Sequence, residues 1–326
     1  MDWLRYGCAV AAVAATGTLG APTAASAEDY PTRPIRLLVV TAAGGLMDVA
    51  ARVTAEHVGK ALGQSIVIEN RPGGGGNLGA EAVAKAPPDG YTIGLIQLGN
   101  VAINPHIYAD LTFDPLNDLV PVAPVTSSPI LVVVNAKVAA NDVRELIALA
   151  KQSPGKLSYG SGGPGTAPHL AGEMFKRLAG VDILHPYRGV GPAVNDLVGG
   201  HIQLTFAGWG AVRGPVEAGL AKVLAVAQSQ RLKAVPRLPT SAEAGLPEYE
   251  FATWFGIVAP KGTPAPVIAT LARHIHAMQD DADVQRSLAE SGLEPLKESP
   301  EQFGVRMRRD YERLRDVVKA AKLKPE

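Results

Sequence analysis

Three glycine-rich turns carry most of the chemistry this chain offers. The first, Gly44-Gly45-Leu46-Met47-Asp48, lies between the β-rich run Ile35 to Val40 and a helical pattern in which apolar or small residues recur from Val49 through Val53 and Val58 to Leu62. Glycine lets a strand turn tightly into a helix, and the helix's first turn offers unpaired N–H groups and a partial positive charge to an anion. Asp48 reads first as a cap for that helix and second as a ligand contact. The second turn, Gly160-Ser161-Gly162-Gly163-Pro164-Gly165-Thr166, repeats the layout ahead of a helix bearing His169 and Glu173, with Ser161 and Thr166 as added hydroxyl donors. Two such turns facing each other across a cleft would suit a ligand with carboxylates.

The third turn, Asn70 to Gly79, contains Gly74-x-Gly76-x-x-Gly79, formally a dinucleotide fingerprint. A four-glycine run produces that match cheaply, and the strand expected next, Tyr91 to Gln97, ends without the acidic residue that would grip a ribose. The 160–166 turn lacks the Lys of a phosphate-binding loop. Catalytic patterns are thin: there is no Gly-x-Ser-x-Gly elbow and no His-Glu-x-x-His helix. His274 and His276 diverge at helical spacing. His169 reads as a helix-start hydrogen-bond donor ahead of a base for Ser161, and Asp280-Asp281-x-Asp283 reads as a turn ahead of a calcium loop. No metal site and no cofactor are expected.

The elements that must hold these turns alternate. Strands are expected at 35–40, 65–69 and 91–97, separated by helices, and again at 130–134, 157–160, 183–187, 202–206 and 223–227. This rhythm implies parallel sheets with helices on their faces. A Pro-rich stretch, Pro115 to Pro129, separates the two series. Phe251 to Ala259 is a last apolar strand, and two amphipathic helices close the chain, with Val267, Ile268, Leu271, Ile275 and Met278 on one face of the first and Phe303, Met307, Tyr311, Leu314 and Val318 on one face of the second. The chain is expected to cross into a second domain near Pro124 to Pro129 and to return near Thr253 to Ile257. Two connections of that kind make a hinge.

Composition narrows the classes. At 326 residues two domains are expected, and 31 Lys plus Arg balance 31 Asp plus Glu, which argues against a broad basic surface for nucleic acid. The single Cys8 excludes a disulfide framework. Residues 1–27 have Arg5 near the start, an Ala/Val-rich run from Cys8 to Ala21 and a small-residue end, Ala25-Ser26-Ala27: a signal peptide with cleavage after Ala27. That run is shorter than the roughly 20 residues a spanning helix needs.

At these motifs the sequence resembles the extracytoplasmic solute receptors of tripartite tricarboxylate transporters, the Bug (Bordetella uptake gene) family. The marks run the length of the chain: Gly44-Gly45-x-x-Asp48, Glu69-Asn70-Arg71-Pro72-Gly73, Asn77-x-Gly79-Ala80-Glu81, Pro88-Asp89-Gly90-Tyr91-Thr92, Ile103-Asn104-Pro105, Tyr159-Gly160-Ser161-Gly162 with His169-Leu170-Ala171-Gly172-Glu173, and Pro239-Thr240-x-x-Glu243-x-Gly245. The resemblance implies an α/β, two-lobed periplasmic binding protein, type II-like, with a mixed, mainly parallel sheet in each lobe and a two-strand hinge. Residues 28–127 and 253–326 would form lobe 1 and 128–252 lobe 2. It implies a binding site from Gly44, Gly45, Leu46, Met47 and Asp48, from Gly99 and Asn100, from Ser161, Gly162, Thr166 and His169, and from Ala207, Gly208 and Trp209.

Three places depart from the family's usual pattern: Thr41-Ala42-Ala43 replaces an aromatic and two prolines, Met47 replaces a small polar residue, and Ala207-Gly208-Trp209-Gly210 replaces a loop that is often polar with Asp or Asn. Trp209 and Met47 together would flatten one wall and favour an aromatic or longer aliphatic acid; Trp209 packing into its own domain stands equally open. Arg188 and Arg71 are the candidates for a charged contact, with Arg71 read as loop-ordering. The function implied is a non-enzymatic, monomeric periplasmic receptor that captures a small organic carboxylate and hands it to a two-component membrane permease. A receptor serving a sensor protein, and a secreted hydrolase using Ser161 and His169, are its competitors.

Overall fold

Ile35, Leu37, Leu38 and Val39 are all 1% exposed or less, which a strand achieves only when both of its faces are covered. In the computed structural model, which describes residues 30–163, 166–185, 190–321 and 323, this run is β1 (Ile35–Val39). The expected signal peptide and Arg188 lie outside the described residues. From β1 the chain runs through α1 (Leu46–Leu62), β2 (Ile66–Asn70), α2 (Asn77–Ala84), β3 (Thr92–Gln97) and α3 (Leu98–Ala102) to β4 (Leu119–Pro129). It continues through β5 (Leu131–Asn135), α4 (Val143–Gln152), β6 (Tyr159–Gly160), α5 (Ala167–Ala179), α6 (Val190–Gly199), β7 (Leu204–Ala207), α7 (Trp209–Glu217) and β8 (Ala221–Val226). It returns in β9 (Ala252–Pro260) and ends with α8 (Ala265–Asp280), α9 (Ala282–Glu290), β10 (Glu294–Pro295) and α10 (Pro300–Ala320).

Two mixed sheets result, ordered β10-β4-β9-β3-β1-β2 and β6-β7-β5-β8. The expectation of mainly parallel sheets is corrected. Among the described strands only β1–β2, β1–β3 and β6–β7 pair parallel. β4 carries the chain out of the first sheet and β9 brings it back alongside, and neighbouring strands that leave and return must run in opposite senses. β4 also corrects the reading of Pro115 to Pro129 as a connection. Its prolines remove ladder donors, and the register against β9 shifts between Pro121 and Ala123 and again between Pro124 and Thr126, the irregularities that let a strand carry proline.

Ile130 joins the sheets. Its N–H donates to the Phe251 carbonyl at 3.0 Å and its carbonyl accepts from the Ala227 N–H at 2.8 Å. Of the expected strand at 183–187, the described part makes only an isolated bridge, Leu184 with Ser158. The expected apolar face of α8 is present, with Val267, Ile268, Leu271, Ile275 and Met278 buried; on α10 Phe303, Met307, Leu314 and Val318 are buried and Tyr311 is half-buried. Between them lies α9, capped by Asp281, whose carboxylate accepts from the N–H groups of Asp283 and Val284. No helix among the described residues is long and apolar enough to cross a membrane.

Candidate functional site

Each of the first and second glycine turns ends in a helix that starts without a side-chain cap. Gly45 precedes α1 and Gly208 precedes α7, and neither has a side chain to cap the helix; Thr166, before α5, has a hydroxyl that accepts no bond from the helix. By contrast, Asp142, Asp281 and Ser299 cap α4, α9 and α10. The starts of α1, α5 and α7 open on one cavity of about 820 Å³, whereas α2 and α8, which also begin without a side-chain cap, do not line it. Its lining comes from both sheets' elements: the 41–47 turn, Gln97 at the end of β3, Ser128 on β4, Ile130 between the sheets, Thr253 and Phe255 on β9, and the starts of α5 and α7. Among the described residues, no lining side chain is ionisable.

Two lining hydroxyls have no hydrogen-bond partner. Thr41 Oγ1 and Ser128 Oγ are buried and unpaired, and Ser128 is 1% exposed. A methyl at Gly208 would lie 2.7 Å from Ser128 Oγ, so this hydroxyl sits against the start of α7. A buried hydroxyl without a partner costs free energy, which makes it a site for a polar ligand atom.

The cavity brings together Gly44, Gly45, Leu46, Met47, Gly162, Thr166, Ala207 and Gly208 from the residues singled out in the sequence. It does not include Asp48, Gly99, Asn100, Ser161, His169 or Trp209. Asp48 is 3% exposed and orders the turn: it accepts from the Gly44 N–H at 3.0 Å, from Arg52 Nε at 2.9 Å and from Asn70 Nδ2 at 3.3 Å. Burial pushes its carboxyl up, and the bonds from Gly44, Arg52 and Asn70 outweigh that, leaving it below the usual carboxylate range.

Asn100 is fully buried beneath the third glycine turn, where its Nδ2 and that of Asn104 both donate to the Gly75 carbonyl. A methyl at Gly76, whose φ is +91°, would lie 2.7 Å from Asn100 Nδ2. The glycines of this turn therefore make room for asparagines, not for a pyrophosphate. Arg71 Nε pairs with Glu69 and does not reach the cavity, as a loop-ordering role requires.

Ser161 and His169 do not pair. Ser161 Oγ lies 2.7 Å from His185 Nε2 and accepts from the Gly163 N–H at 3.1 Å, while the Thr166 hydroxyl donates to the Gly163 carbonyl at 2.6 Å. Both hydroxyls are thus committed to holding the turn. Burial, with the nearby Lys176, draws His169 down to about 4; burial, with His169 beside it, does the same for His185.

Trp209 is 4% exposed and packs with Leu131, Val133 and Val212 in the core of the second sheet's unit. Of the two open readings, burial in its own domain is the one found. Met47, 3% exposed, shows the cavity only an edge. Residues unmarked in the sequence replace Trp209: Ile130, Phe255 and Ala211, with Ser128 and Thr253. Phe255 and Thr253 lie on a strand legible in the sequence, but nothing local marks which of its residues would meet a cleft.

Residues 50–323 match the family described as Tripartite tricarboxylate transporter family receptor. The chain belongs to this family. It is similar to Protein BugT of Bordetella pertussis, with 35% identity over 328 residues, 99% of this chain and 100% of that protein. Among solved structures it resembles an R. palustris protein with adipate, at 37% identity and a TM-score of 0.83, covering 91% of this chain and 100% of that one. It also resembles MatC from Rhodopseudomonas palustris with bound malate, at 31% identity and a TM-score of 0.78, covering 89% of this chain and 100% of that one. The fold of this receptor is that of the α/β, two-lobed periplasmic binding proteins.

Proposed function

We propose that this receptor is exported, loses residues 1–27, and captures a small organic carboxylate in the cavity between its lobes for delivery to a membrane permease. The observation that carries the reading is the convergence of three helix starts without side-chain caps on one cavity, beside the unpaired hydroxyls of Ser128 and Thr41. Each helix start contributes roughly half a positive charge, so three of them balance a carboxylate without an ionised side chain. The solved relatives with adipate and malate support the ligand class.

Gly44, Gly45, Leu46, Gly162, Thr166 and Gly208 are the proposed contacts among the residues that the sequence singles out. Ile130, hydrogen-bonded to Ala227 and to Phe251 just before the returning strand, marks where the two crossings meet and makes a natural pivot, and closure about it would turn occupancy into a shape a permease reads. Binding without turnover is part of the reading, because the Ser161 hydroxyl is engaged by His185 and Gly163 away from the cavity.

The test is a thermal-shift and calorimetric screen of the purified receptor over mono- and dicarboxylates, because a ligand that binds only the folded state raises its melting temperature. At least one acid should bind with no product formed. Indifference to every acid would end the reading. N-terminal sequencing of periplasmic material should begin at Glu28.

A further inference from the structure

The third glycine turn lines no part of the cavity, yet its first residue is bonded to the turn that does. Resting on the reading above, we propose that Asn70 is a positioning residue for the bound acid: it holds residue 41 so that the Thr41 hydroxyl meets the ligand, and it sets affinity without touching the ligand itself.

The first turn has little support of its own. Ala42, Ala43, Gly44 and Gly45 are exposed, and neither alanine nor glycine has a polar side chain to brace a loop. Two hydrogen bonds anchor it. The Thr41 carbonyl accepts from Asn70 Nδ2 at 3.0 Å, and the Gly44 N–H donates to Asp48 at 3.0 Å. The other Asp48 oxygen accepts from the same Asn70 Nδ2 at 3.3 Å. A primary amide has two N–H donors, one for each of these partners. One side chain therefore ties the entrance of the loop to the start of α1.

Asn70 is itself held in place. It ends β2 in register with Val39, and the following N–H, that of Arg71, donates to the Val39 carbonyl at 2.8 Å. Two of the glycines beyond it let the chain approach the end of β1: a methyl at Gly76 would lie 3.1 Å from the Val40 carbonyl oxygen, and one at Gly79 would lie 3.0 Å from Val40 Cγ1. The third turn is thus a backing for the first, and Asn70 is the part of it that reaches Thr41.

The effect on the ligand passes through one atom. Thr41 lines the cavity, and its Oγ1 is buried without a partner. Such a hydroxyl stabilises a complex only when a ligand atom meets it at hydrogen-bond distance and angle. Freeing the Thr41 carbonyl would let residue 41 turn and lose that geometry, while the Gly44 bond to Asp48 stays. Asn70 does not line the cavity and has no contact of its own to lose.

A double-mutant cycle read by titration calorimetry on the purified receptor, with adipate, malate, benzoate and citrate as probes, tests this. For the tightest binder of the four, Asn70→Ala should weaken binding about fivefold, and so should Thr41→Val, which keeps the shape and removes the hydroxyl. The double variant should lose less than about half the product of the two factors, because both changes remove the same contact. A lobe that was merely loosened would give the full product. Asn70→Ser, whose shorter side chain cannot reach both partners, takes the place of Asn70→Ala if that variant does not fold. Unchanged affinity in either single variant, or factors that multiply, would overturn this inference and leave the carboxylate reading standing. So would failure of all four probes when another acid binds. Only indifference to every carboxylate would remove both.

Discussion

Ser161 and His185 form the hydrogen-bonded pair of the second turn, 2.7 Å apart, and His185 stacks on His169 with ring centroids 4.0 Å apart and planes 18° from parallel. Tyr159 lies against the stack at 4.5 Å from His185 and donates to Glu173, which Lys176 also contacts. Two imidazolium rings in that position would repel each other in a partly dry site, so the stack is built for neutral histidines.

The pH dependence follows in sign. Both histidines titrate near 4 in the fold and near 6.5 in the unfolded chain. Between those values the unfolded chain binds more protons, so the histidines' contribution is complete above about pH 6.5 and is lost as pH falls toward 4. A fully buried neutral histidine gives a slope approaching about 1.4 kcal/mol per pH unit in that window, and His185, only half buried, gives less. Denaturant midpoints measured from pH 7 to pH 4 should fall, and should flatten in the double variant His169→Gln, His185→Gln. An equal slope in both proteins would show that the stack is not the cause.

Asp48 should behave as a structural group. Asp48→Ala removes the acceptor for Gly44, Arg52 and Asn70 and is expected to cost about 1–3 kcal/mol of stability. Asp48→Asn keeps one acceptor oxygen and should lose less. Carboxylate affinity should weaken only through disorder of the 41–47 turn, so stability and affinity should recover together in the Asn variant. Asn losing affinity as fully as Ala while regaining stability would return Asp48 to the ligand's contacts.

Which parts of this were readable beforehand depended on how local the cause was. The first and second turns announced themselves because glycine followed by a helix start is a short-range pattern, and Gly44, Gly45, Gly162 and Thr166 do line the cavity. Ser128 was hidden because prolines at 121, 124 and 129 argue against a strand. Only pairing with β9, more than 120 residues later, absorbs them through register shifts. The partner of Ser161 was hidden for a related reason. His169 is near in sequence, while His185 is brought close by Leu184 bridging to Ser158 beside β6. Trp209 follows a glycine turn just as Leu46 does, yet it points into its own core, and a turn sequence carries no information about that direction.

Ser128→Ala should move stability and binding in opposite directions. The hydroxyl is buried without a partner in the free protein, so its removal should leave stability unchanged or raise it by up to about 1 kcal/mol. If the hydroxyl serves the ligand, the same change should weaken the best carboxylate several-fold, about 1 kcal/mol. Chemical denaturation and calorimetry on the one variant give both signs. A loss of stability with unchanged affinity would mean that Ser128 has a structural partner and no ligand role.

Gly292 governs how closely the lobes approach at the start of α7. A methyl there would lie 2.5 Å from Trp209 Cβ, and Gly292 has a φ of +70°. Nearby, Arg213 Nη1 donates to the Glu290 carbonyl at 3.3 Å, so α7 is tied to the same turn. Gly292→Ala should therefore carry two costs: about 1 kcal/mol for a left-handed non-glycine residue, and displacement of Trp209 together with the Gly208 and Gly210 wall. Gly219→Ala separates them, because Gly219 has a φ of +71° and nothing within 4 Å of an added methyl. Both variants should lose similar backbone stability, but only Gly292→Ala should weaken carboxylate binding, although residue 292 does not line the cavity. Equal affinities in the two variants would mean that the Trp209–Gly292 contact plays no part in shaping the site.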